Sequence, residues 1–344
     1  MSEPAKTFQR EGATLKDLAR HLALTKGTVS AVLNNSPYAK AIPQRTKDRI
    51  FAAARELNYQ PNYFARTLRK KRTYTVGVIV ADIGDAYASV LISGIEAGLR
   101  QSNYFFTMAV HHHDPQLLQQ YVEMLQTRGA EALITVDTTL TVAPQLPTVA
   151  IAGHKRLEGV TNIVLDHAKA AELVLHYLYE NGHRKIAIIR GQASSADSHD
   201  RWVAIAHAAT EHGIAITDSL TAQLERDDPS PEEGYKATRK LLARKHSFSA
   251  LFAYNDVSAI GAIRALQEAG LKVPEDISVV GFDDIREATY HLPSLTTVRQ
   301  PLLRMGGLAA ETLIQHIENE KELPAVITVE PELVGRESSG RAKQ

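Results

Sequence analysis

The chain has 344 residues, of which 44% are hydrophobic, so it exceeds one typical domain and has enough apolar residues for packed cores. The 39 basic and 39 acidic residues cancel, and the absence of cysteine excludes disulfides, thiolate zinc sites and cysteine nucleophiles. No run of about eighteen apolar residues and no N-terminal signal peptide is present, so we expect two or three folded units in the cytoplasm.

The first predicted elements are two short helices near the N-terminus. Thr14 and Asp17 have the spacing of a capping box, and apolar residues follow at helical spacing, so the first helix should end near Leu22. Residues 23–25 form a turn, and Thr25 can accept the first amide hydrogen bonds of a second helix. Two short helices joined by such a turn are typical of a DNA-binding helix-turn-helix.

The second helix should bury Val29, Val32 and Leu33 and leave a polar face outside. Because the N-terminal residues of such a helix enter the major groove, the outward residues are candidate base readers. They are Lys26, Gly27, Thr28, Ser30 and Ala31. A third amphipathic helix is predicted from about Pro43.

Basic residues are concentrated at the same end of the chain. Between residues 14 and 73, thirteen Lys or Arg accompany three acidic residues, a net charge of +10, which leaves −10 elsewhere. A basic head on an acidic body is expected when one domain binds phosphates and the other does not. A three-helix domain that binds a protein partner remains the alternative.

Residues 61–73 connect the head to the body and form a short basic segment that contains Leu68. Such a segment can fold into a helix on meeting DNA, with its cations on phosphates and its leucine as a wedge between base steps. A plain charged linker is equally compatible with the composition. Residues 1–13 are predicted to be a flexible N-terminus.

From residue 74 onward, apolar strand signals alternate with helix signals. The predicted strands are 74–80, 104–110, 132–136, 148–151, 185–190, 250–253 and 278–282, and the predicted helices are 88–100, 116–128, 168–181, 201–212, 232–244 and 257–269. This alternation predicts an α/β fold of two doubly wound lobes with parallel sheets. A ligand should therefore bind between the lobes, at the carboxyl ends of the strands.

Polar and aromatic side chains lie close to several of these strand ends. They are Asp82, Tyr87, Arg201, Asn255 and Asp283. Arg201 should open the helix at 201–212. Carboxylates, an amide, a guanidinium and a ring suit a neutral polyhydroxylated ligand, whose hydroxyls they can bind and whose face the ring can cover. Asp256 and Asp284 stand before helical residues and are equally compatible with capping those helices.

Specific sequence blocks run along the whole chain. They include TLKDLA at 14–19, ELNYQPN at 56–62, ARTL at 65–68, VGVIV at 76–80, NGHRKIA at 181–187, VGFDDI at 280–285 and LTTVRQP at 295–301. On these blocks the chain resembles the LacI/GalR family of bacterial transcriptional repressors. The resemblance implies a homodimer on a pseudo-palindromic DNA operator, a small-molecule effector, sugar-like in kind, and a body like periplasmic sugar-binding proteins whose chain crosses three times between lobes.

The resemblance also assigns residue roles. The DNA-binding set that it implies is Lys16, Lys26, Gly27, Thr28, Ser30, Ala31, Asn34, Leu68 and Arg69. The effector-binding set that it implies is Asp82, Tyr87, Arg201, Asn255 and Asp283. Ala31 replaces a frequent arginine, so one guanine contact should be missing, and the loop at 38–43 is longer than usual.

Domain boundaries follow from these assignments. They are 1–13 for the flexible N-terminus, 14–60 for the helix-turn-helix domain, 61–73 for the hinge, 74–338 for the effector-binding and dimerisation domain, and 339–344 for a tail. The first lobe of the body is predicted at about 74–165 and 296–324, and the second at about 166–292 and 325–338. Dimer contacts are expected near residues 89–101.

Neither a Gly-rich phosphate-binding motif nor a nucleophile elbow occurs, so the sequence predicts no enzyme and no cofactor. His111 and His113 point to one side of an extended segment, but two imidazoles without a further ligand do not make a metal site, and we expect none. Because the segment follows a strand at the cleft edge, an effector contact or a solvated loop is expected there instead. A solute-binding protein without DNA specificity is the main alternative. A sugar-processing enzyme would need an acid and a base in the cleft. The sequence leaves open whether the effector induces or corepresses.

Overall fold

The computed structural model consists of two compact units, Met1–Arg72 and Thr73–Gln344. The residues that it describes are 13–60, 67, 72–84, 86–153, 155–193, 195–226, 230–319, 322 and 324–343. Residues 1–12 of the predicted flexible N-terminus (1–13) and residues 61–66 and 68–71 of the predicted hinge lie outside the described residues.

The first unit is a small helical head. Its helices are α1 (Leu15–Leu22), α2 (Lys26–Leu33) and α3 (Gln44–Glu56), with a 3-10 helix at Pro37–Ala41. The capping box at Thr14 and the side-chain cap at Thr25 form as predicted. Leu18, Val29 and Ile50 are fully buried and hold the three helices together through one apolar core.

The second unit contains two six-stranded sheets. Its strands are β1 (Thr75–Val80), β2 (Phe105–Val110), β3 (Ala132–Val136), β4 (Thr148–Ile151), β5 (Val160–Leu165), β6 (Ile186–Arg190), β7 (Thr221–Gln223), β8 (Ala250–Phe252), β9 (Ser278–Asp283), β10 (Thr296–Arg299), β11 (Val326–Val329) and β12 (Glu332–Val334). The first sheet has the order β11-β5-β4-β3-β1-β2 and is parallel throughout. The second has the order β12-β10-β9-β8-β6-β7 and is parallel except where β12 pairs with β10.

Helices accompany both sheets. They are α4 (Ala86–Gln101), α5 (Pro115–Thr127), α6 (His167–Glu180), α7 (Ala196–Glu211), α8 (Glu232–Ala243), α9 (Asp256–Glu268), α10 (Arg286–Tyr290) and α11 (Leu302–Asn319). Helix α4 packs closely on α11, because a Cβ at Gly94 or Gly306 would lie 2.2 Å from a backbone carbonyl of the other helix. The predicted α/β fold, a helical head followed by two doubly wound lobes, is confirmed.

The chain crosses between the sheets three times, after β5, after β10 and after β11. The predicted lobe boundaries at 296 and 325 therefore assign two strands to the wrong lobe. Strand β10 was placed in the first lobe but pairs with β9 in the second sheet, and β11 was placed in the second lobe but pairs with β5 in the first sheet. The second and third crossings come after these strands, close to Pro301 and Pro331. Proline has no amide hydrogen with which to continue a strand ladder, so each strand ends before it.

Two elements differ from the sequence prediction in ways that matter for the site. Strand β5 was missed because the buried Asn162 interrupts its apolar run. Helix α7 begins five residues before the predicted start, so Arg201 lies in its second turn instead of opening it. Among the described helices, none has both the length and the apolar character needed to cross a membrane.

Candidate functional site

The head presents the beginning of α2 at its surface. Thr25 caps this helix, and its hydroxyl oxygen lies 2.9 Å from that of Thr28. Lys26 and Gly27 follow the cap and are exposed, and Lys16 is exposed on α1. A helix N-terminus carries a partial positive charge, so this end of α2 and its lysine are suited to phosphate and base-edge contacts.

Ser30 and Asn34 lie one turn apart at the other end of α2. The Asn34 amide group donates to the Ser30 carbonyl oxygen at 2.8 Å and lies 3.2 Å from the Ser30 hydroxyl. Asn34 is exposed and ends the helix, whereas Ser30 is half-buried. The helix itself therefore orients the Asn34 side chain before any contact with DNA.

Ala31 does not face outward, contrary to the prediction. Its side chain is 7% exposed and belongs to the apolar core of the head. The 3-10 helix at Pro37–Ala41 packs on α2 and contributes Ala39 to that core, and Ile42 follows it there. The longer loop thus packs on a part of α2 that the two-helix pattern predicted to be exposed. Because Ala31 is buried, it is no longer a candidate base reader.

The second unit begins with an anchored backbone segment. The backbone amide of Thr73 donates to the carboxylate of Glu131, and the amide of Tyr74 donates to the same carboxylate at 2.9 Å. Glu131 thereby fixes the direction in which the chain starts β1. Leu68 and Arg69, which precede this segment, lie outside the described residues, so their DNA-binding roles stay predictions.

A cleft opens between the two sheets at the carboxyl ends of their strands. About 820 Å³ of space free of protein atoms lies within it and at its solvent-open mouth. The cleft is lined by all the residues predicted for effector binding, namely Asp82, Tyr87, Arg201, Asn255 and Asp283. Asp82 and Asn255 follow β1 and β8, and Asp283 ends β9, which is the arrangement that the strand-end argument predicts.

Arg201 is the centre of a buried hydrogen-bond network in the cleft. Its guanidinium donates to the Asp197 carboxylate and to the Tyr254 carbonyl oxygen, and it lies 3.6 Å from the centroid of the Phe282 ring. The other Asp197 oxygen lies 2.9 Å from Nε2 of His167. Burial lowers the pKa of Arg201, but the nearby negative charges, Asp197 above all, outweigh this and raise it.

Carboxylates dominate the electrostatics of the cleft. Asp82, Asp137, Asp197 and Asp283 all line it, and Arg201 is the guanidinium among the lining residues. The Asp283 carboxylate accepts a hydrogen bond from the Gln300 amide at 2.6 Å and is 7% exposed. Because Arg201 is paired with Asp197, the net field of the cleft is negative. Such a field disfavours anionic ligands and favours neutral or cationic ones.

Two tyrosine hydroxyls in the cleft stay protonated. Burial raises the pKa of Tyr87 well above its ordinary value, and Asp197 and Asp137 raise it further. Burial likewise raises the pKa of Tyr254, with a further contribution from Asp197. Both rings can therefore offer a neutral hydroxyl to a ligand. Asn255 also caps α9, where its side-chain oxygen accepts from the Ser258 amide at 2.8 Å.

Several lining residues were missed by the sequence prediction. They are Asp137, Gln192, Ser195, Asp197 and Tyr254. Asp137 follows β3 directly and Gln192 follows β6, so the same strand-end argument could have found both. Asp197 was missed because the predicted helix began at Arg201, one turn too late.

The three histidines after β2 have different environments. His111 is 4% exposed, and its Nε2 lies 3.0 Å from the Thr138 hydroxyl. Burial lowers its pKa most, the adjacent His113 and His112 add to the shift, and together they bring the pKa to about 4. His112 lies at the surface, 3.8 Å from the Asp82 carboxylate, whereas His113 lines the cleft. His113 is thus the member of the three placed to meet a ligand.

Asp256 and Asp284, which the sequence left open between capping and ligand binding, do not line the cleft. Asp256 is fully buried and accepts from the Thr297 hydroxyl and the Ile285 amide. Burial raises its pKa to about 7. Asp284 forms ion pairs at 2.6 Å with two arginines of the second lobe. Both aspartates therefore serve the packing of the lobe.

Comparison with known proteins gives consistent matches over both units. The sequence model described as bacterial regulatory proteins, lacI family, matches residues 14–62, and that of the periplasmic binding protein-like domain matches residues 175–339. The HTH-type transcriptional repressor PurR of Erwinia tasmaniensis is 32% identical over 335 residues, covering 95% of this chain and 96% of that protein. The repressor of the same name from Klebsiella pneumoniae is 31% identical over the same length.

Solved structures with the same fold include ligand complexes. A lac repressor dimer bound to operator and the anti-inducer ONPF superposes with a TM-score of 0.85 at 24% identity, covering 95% of this chain and 99% of that one. A complex of the transcriptional regulator CelR with cellobiose gives 0.69 at 25% identity, with coverages of 95% and 100%. A LacI family regulator from Enterococcus faecium with bound ribose gives 0.68 at 28% identity, with coverages of 78% and 100%.

Proposed function

The chain belongs to the LacI family of bacterial regulatory proteins, and from this premise we propose that it is a DNA-binding transcriptional repressor whose operator affinity is set by a small molecule in the cleft. The observation that carries the proposal is that one chain combines a capped helix-turn-helix head with a cleft lined by polar residues at the strand ends. The protein acts on cytoplasmic DNA, and it releases its ligand unchanged.

The head supports sequence-specific binding through the start of α2. Lys26 and Gly27 are exposed there, next to the Thr25 cap, and they form the base-reading end of the helix. Lys16 and Asn34 contribute phosphate contacts from α1 and from the end of α2. Burial of Ala31 leaves fewer side chains to read bases, so Lys26 carries a larger share of the specificity.

The cleft supports a neutral, polyhydroxylated effector of the sugar class. Carboxylates such as Asp82 and Asp137 accept hydrogen bonds from hydroxyl groups, and the neutral hydroxyl of Tyr87 can donate or accept. The charge of Arg201 is already balanced by Asp197, so little positive charge remains for a phosphate or a carboxylate. Related regulators whose structures hold cellobiose or ribose are consistent with this class.

The first lobe supports dimer formation through an exposed apolar edge. Strand β2 lies at the end of the first sheet, and the side chains of Phe105 and Met108 are 71% and 39% exposed. Met124 of α5 is also 39% exposed, beside a groove between β2 and α5. An exposed apolar edge strand usually pairs or is covered, so a second copy fits here better than on α4, whose apolar side packs on α11.

Regulation follows from a difference in ligand affinity between two lobe arrangements. A ligand that binds one lobe arrangement more tightly shifts the equilibrium between the two arrangements by no more than this difference in binding free energy. The resulting change in operator affinity is the coupling free energy between the cleft and the DNA-binding head. Closure around the ligand causes induction if the closed form binds DNA less well, and corepression if it binds DNA better.

Selection of DNA fragments by the purified full-length protein tests this function. We expect enrichment of one pseudo-palindromic site by the wild type, and at least about fivefold weaker binding of that site by Lys26→Ala, since a base contact contributes about 1–3 kcal/mol. Lys240→Ala, which removes an exposed lysine of the second unit, is the charge-matched control and should bind like the wild type. A folded dimer that enriches no sequence would support the solute-binding alternative.

A further inference from the structure

A group of two histidines and one glutamate lies on the second lobe, outside the cleft lining. Glu172 and His176 are one turn apart on α6, and His212 ends α7. The ligand atoms of the three side chains all lie within 4.8 Å of one another. Among the described residues, this is where three metal-ligating side chains come together.

The geometry of the group is already close to that of a bound cation. Nε2 of His212 lies 3.0 and 3.1 Å from the two carboxylate oxygens of Glu172. The rings of His176 and His212 have centroids 5.6 Å apart. Ligand atoms around a tetrahedral zinc ion are about 3.3 Å apart, because Zn–N and Zn–O bonds are about 2.0–2.1 Å long. Rotation of the exposed His176 side chain would bring its ring nitrogen to this distance from the other two ligand atoms.

The position of His212 is fixed by packing. His212 has a side chain that is only 15% exposed, and the Tyr179 ring packs against it with a centroid distance of 5.5 Å. The guanidinium of Arg184 covers the Tyr179 ring at 3.6 Å. The imidazole of His212 is therefore held in place, with Glu172 beside it, which lowers the entropy lost when a cation binds.

We propose that Glu172, His176 and His212 form a binding site for a divalent transition-metal ion of the zinc class. Imidazole and carboxylate are the ligands that Zn²⁺ takes in proteins, and three protein ligands leave at least one position for water. Because Glu172 and His176 face solvent, the ion would exchange with the medium. We assign it a structural role and no catalytic one.

The ion would join two helices that also meet at the edge of the cleft. Helix α6 begins with His167, and α7 contains Asp197, whose carboxylate lies 2.9 Å from that histidine. A metal ion bound by Glu172, His176 and His212 would provide a second connection between α6 and α7. Since metal bound only by the folded state stabilises it, the ion should raise the resistance of the second lobe to unfolding.

The histidines after β2 do not offer the same set of ligands. The Nε2 atom of His111 is used by the Thr138 hydroxyl, and His112 lies beside Asp82. Another surface pair, His207 and Glu211, has its closest atoms 3.5 Å apart on α7 but has no third ligand among the described residues. His207 therefore provides a matched control for the removal of one exposed histidine.

Calorimetric titration of the metal-free, full-length protein with ZnCl₂ tests the proposal. We expect a binding event of one ion per chain in the wild type and in His207→Ala. The variants His176→Ala and Glu172→Gln should bind at least about tenfold more weakly, because loss of even the groups behind metal ligands typically costs 10–100-fold. His176 is exposed, so its replacement leaves the fold intact even if variants at His212 do not fold.

Co²⁺ absorption gives a second, site-specific readout. Bound Co²⁺ should show d–d bands in the wild type and in His207→Ala that are absent from His176→Ala. Equal zinc affinity of the wild type and His176→Ala would overturn the proposal. Loss of binding in His113→Ala with retention in His176→Ala would also overturn it, because the ion would then bind beside the cleft. Neither result depends on DNA binding or on the effector.

Discussion

Replacement of Asp197 by alanine should destabilise the second lobe by about 3 kcal/mol. The side chain of Arg201 is 5% exposed and that of Asp197 is 14% exposed, so the pair is buried. Removal of one partner from a buried ion pair costs about 3–5 kcal/mol, because the other charge is left without compensation. The Asp197 side chain keeps 14% of its surface exposed, so water can partly replace it and we expect the lower end of this range.

Urea unfolding followed by tryptophan fluorescence measures this effect. Trp202 is the only tryptophan of the chain, it follows Arg201 on α7, and the Arg190 guanidinium lies 4.2 Å from its ring centroid. Its emission therefore reports on the unfolding of this lobe. Glu211→Ala, which removes an exposed carboxylate from the same helix, should change stability by less than about 1 kcal/mol, because its contact with His207 lies at the surface.

A double variant separates the ion pair from other effects of the substitution. Asp197→Leu combined with Arg201→Met removes both charges and keeps apolar volume, so it should recover at least half of the stability lost in Asp197→Ala. A loss below about 1 kcal/mol in Asp197→Ala, or a double variant less stable than the single one, would refute the reasoning.

Three further predictions concern the hinge, a buried histidine and the start of β1. Leu68→Ala should weaken specific operator binding while nonspecific binding and its salt dependence persist; equal loss of both, measured by fluorescence anisotropy, would contradict the wedge role. The pKa of His111 is about 4 in the folded protein and 6.5 in the unfolded chain, so between these values the unfolded chain binds the proton more readily. The contribution of neutral His111 to the free energy of unfolding is therefore complete above pH 6.5 and declines toward pH 4, by about 3 kcal/mol at most. His111→Gln should abolish that part of the decline in urea unfolding curves. A bound effector typically changes the affinity for a second ligand 5–150-fold. Glu131→Ala should reduce this effect of the ligand on operator affinity, whereas the affinity for the ligand itself, measured by calorimetry, should not change.

The strand-end argument predicted much of the cleft from the sequence alone. Asp82, Asn255 and Asp283 could be placed because an apolar strand is easy to recognise and the residue after it must lie at the sheet edge. Asp197 could not be placed in this way, because the start of α7 carries no strong apolar pattern and its cap, Ser195, was not recognised.

Contacts between distant segments set the limit of the sequence prediction. A helical pattern could not show that Ala31 belongs to the core to which the 3-10 helix after α2 contributes Ala39, since that burial depends on tertiary packing. For the same reason the approach of His212 to Glu172 was not predicted, because the two residues lie on different helices. The lobe crossings were misplaced because the strands β10 and β11 are too short for a strong apolar pattern and were not predicted, and because β5, the partner of β11, is remote in sequence.

Operator binding in the presence of defined ligand pools tests the central claim most directly. The affinity for the selected operator would be measured with neutral sugars, nucleobases or sugar phosphates, for the wild type and for Arg201→Ala. The account predicts that the neutral sugar pool changes the affinity of the wild type, that sugar phosphates do not, and that Arg201→Ala binds the operator but no longer responds. An operator affinity that no pool alters, or a variant that responds like the wild type, would contradict it.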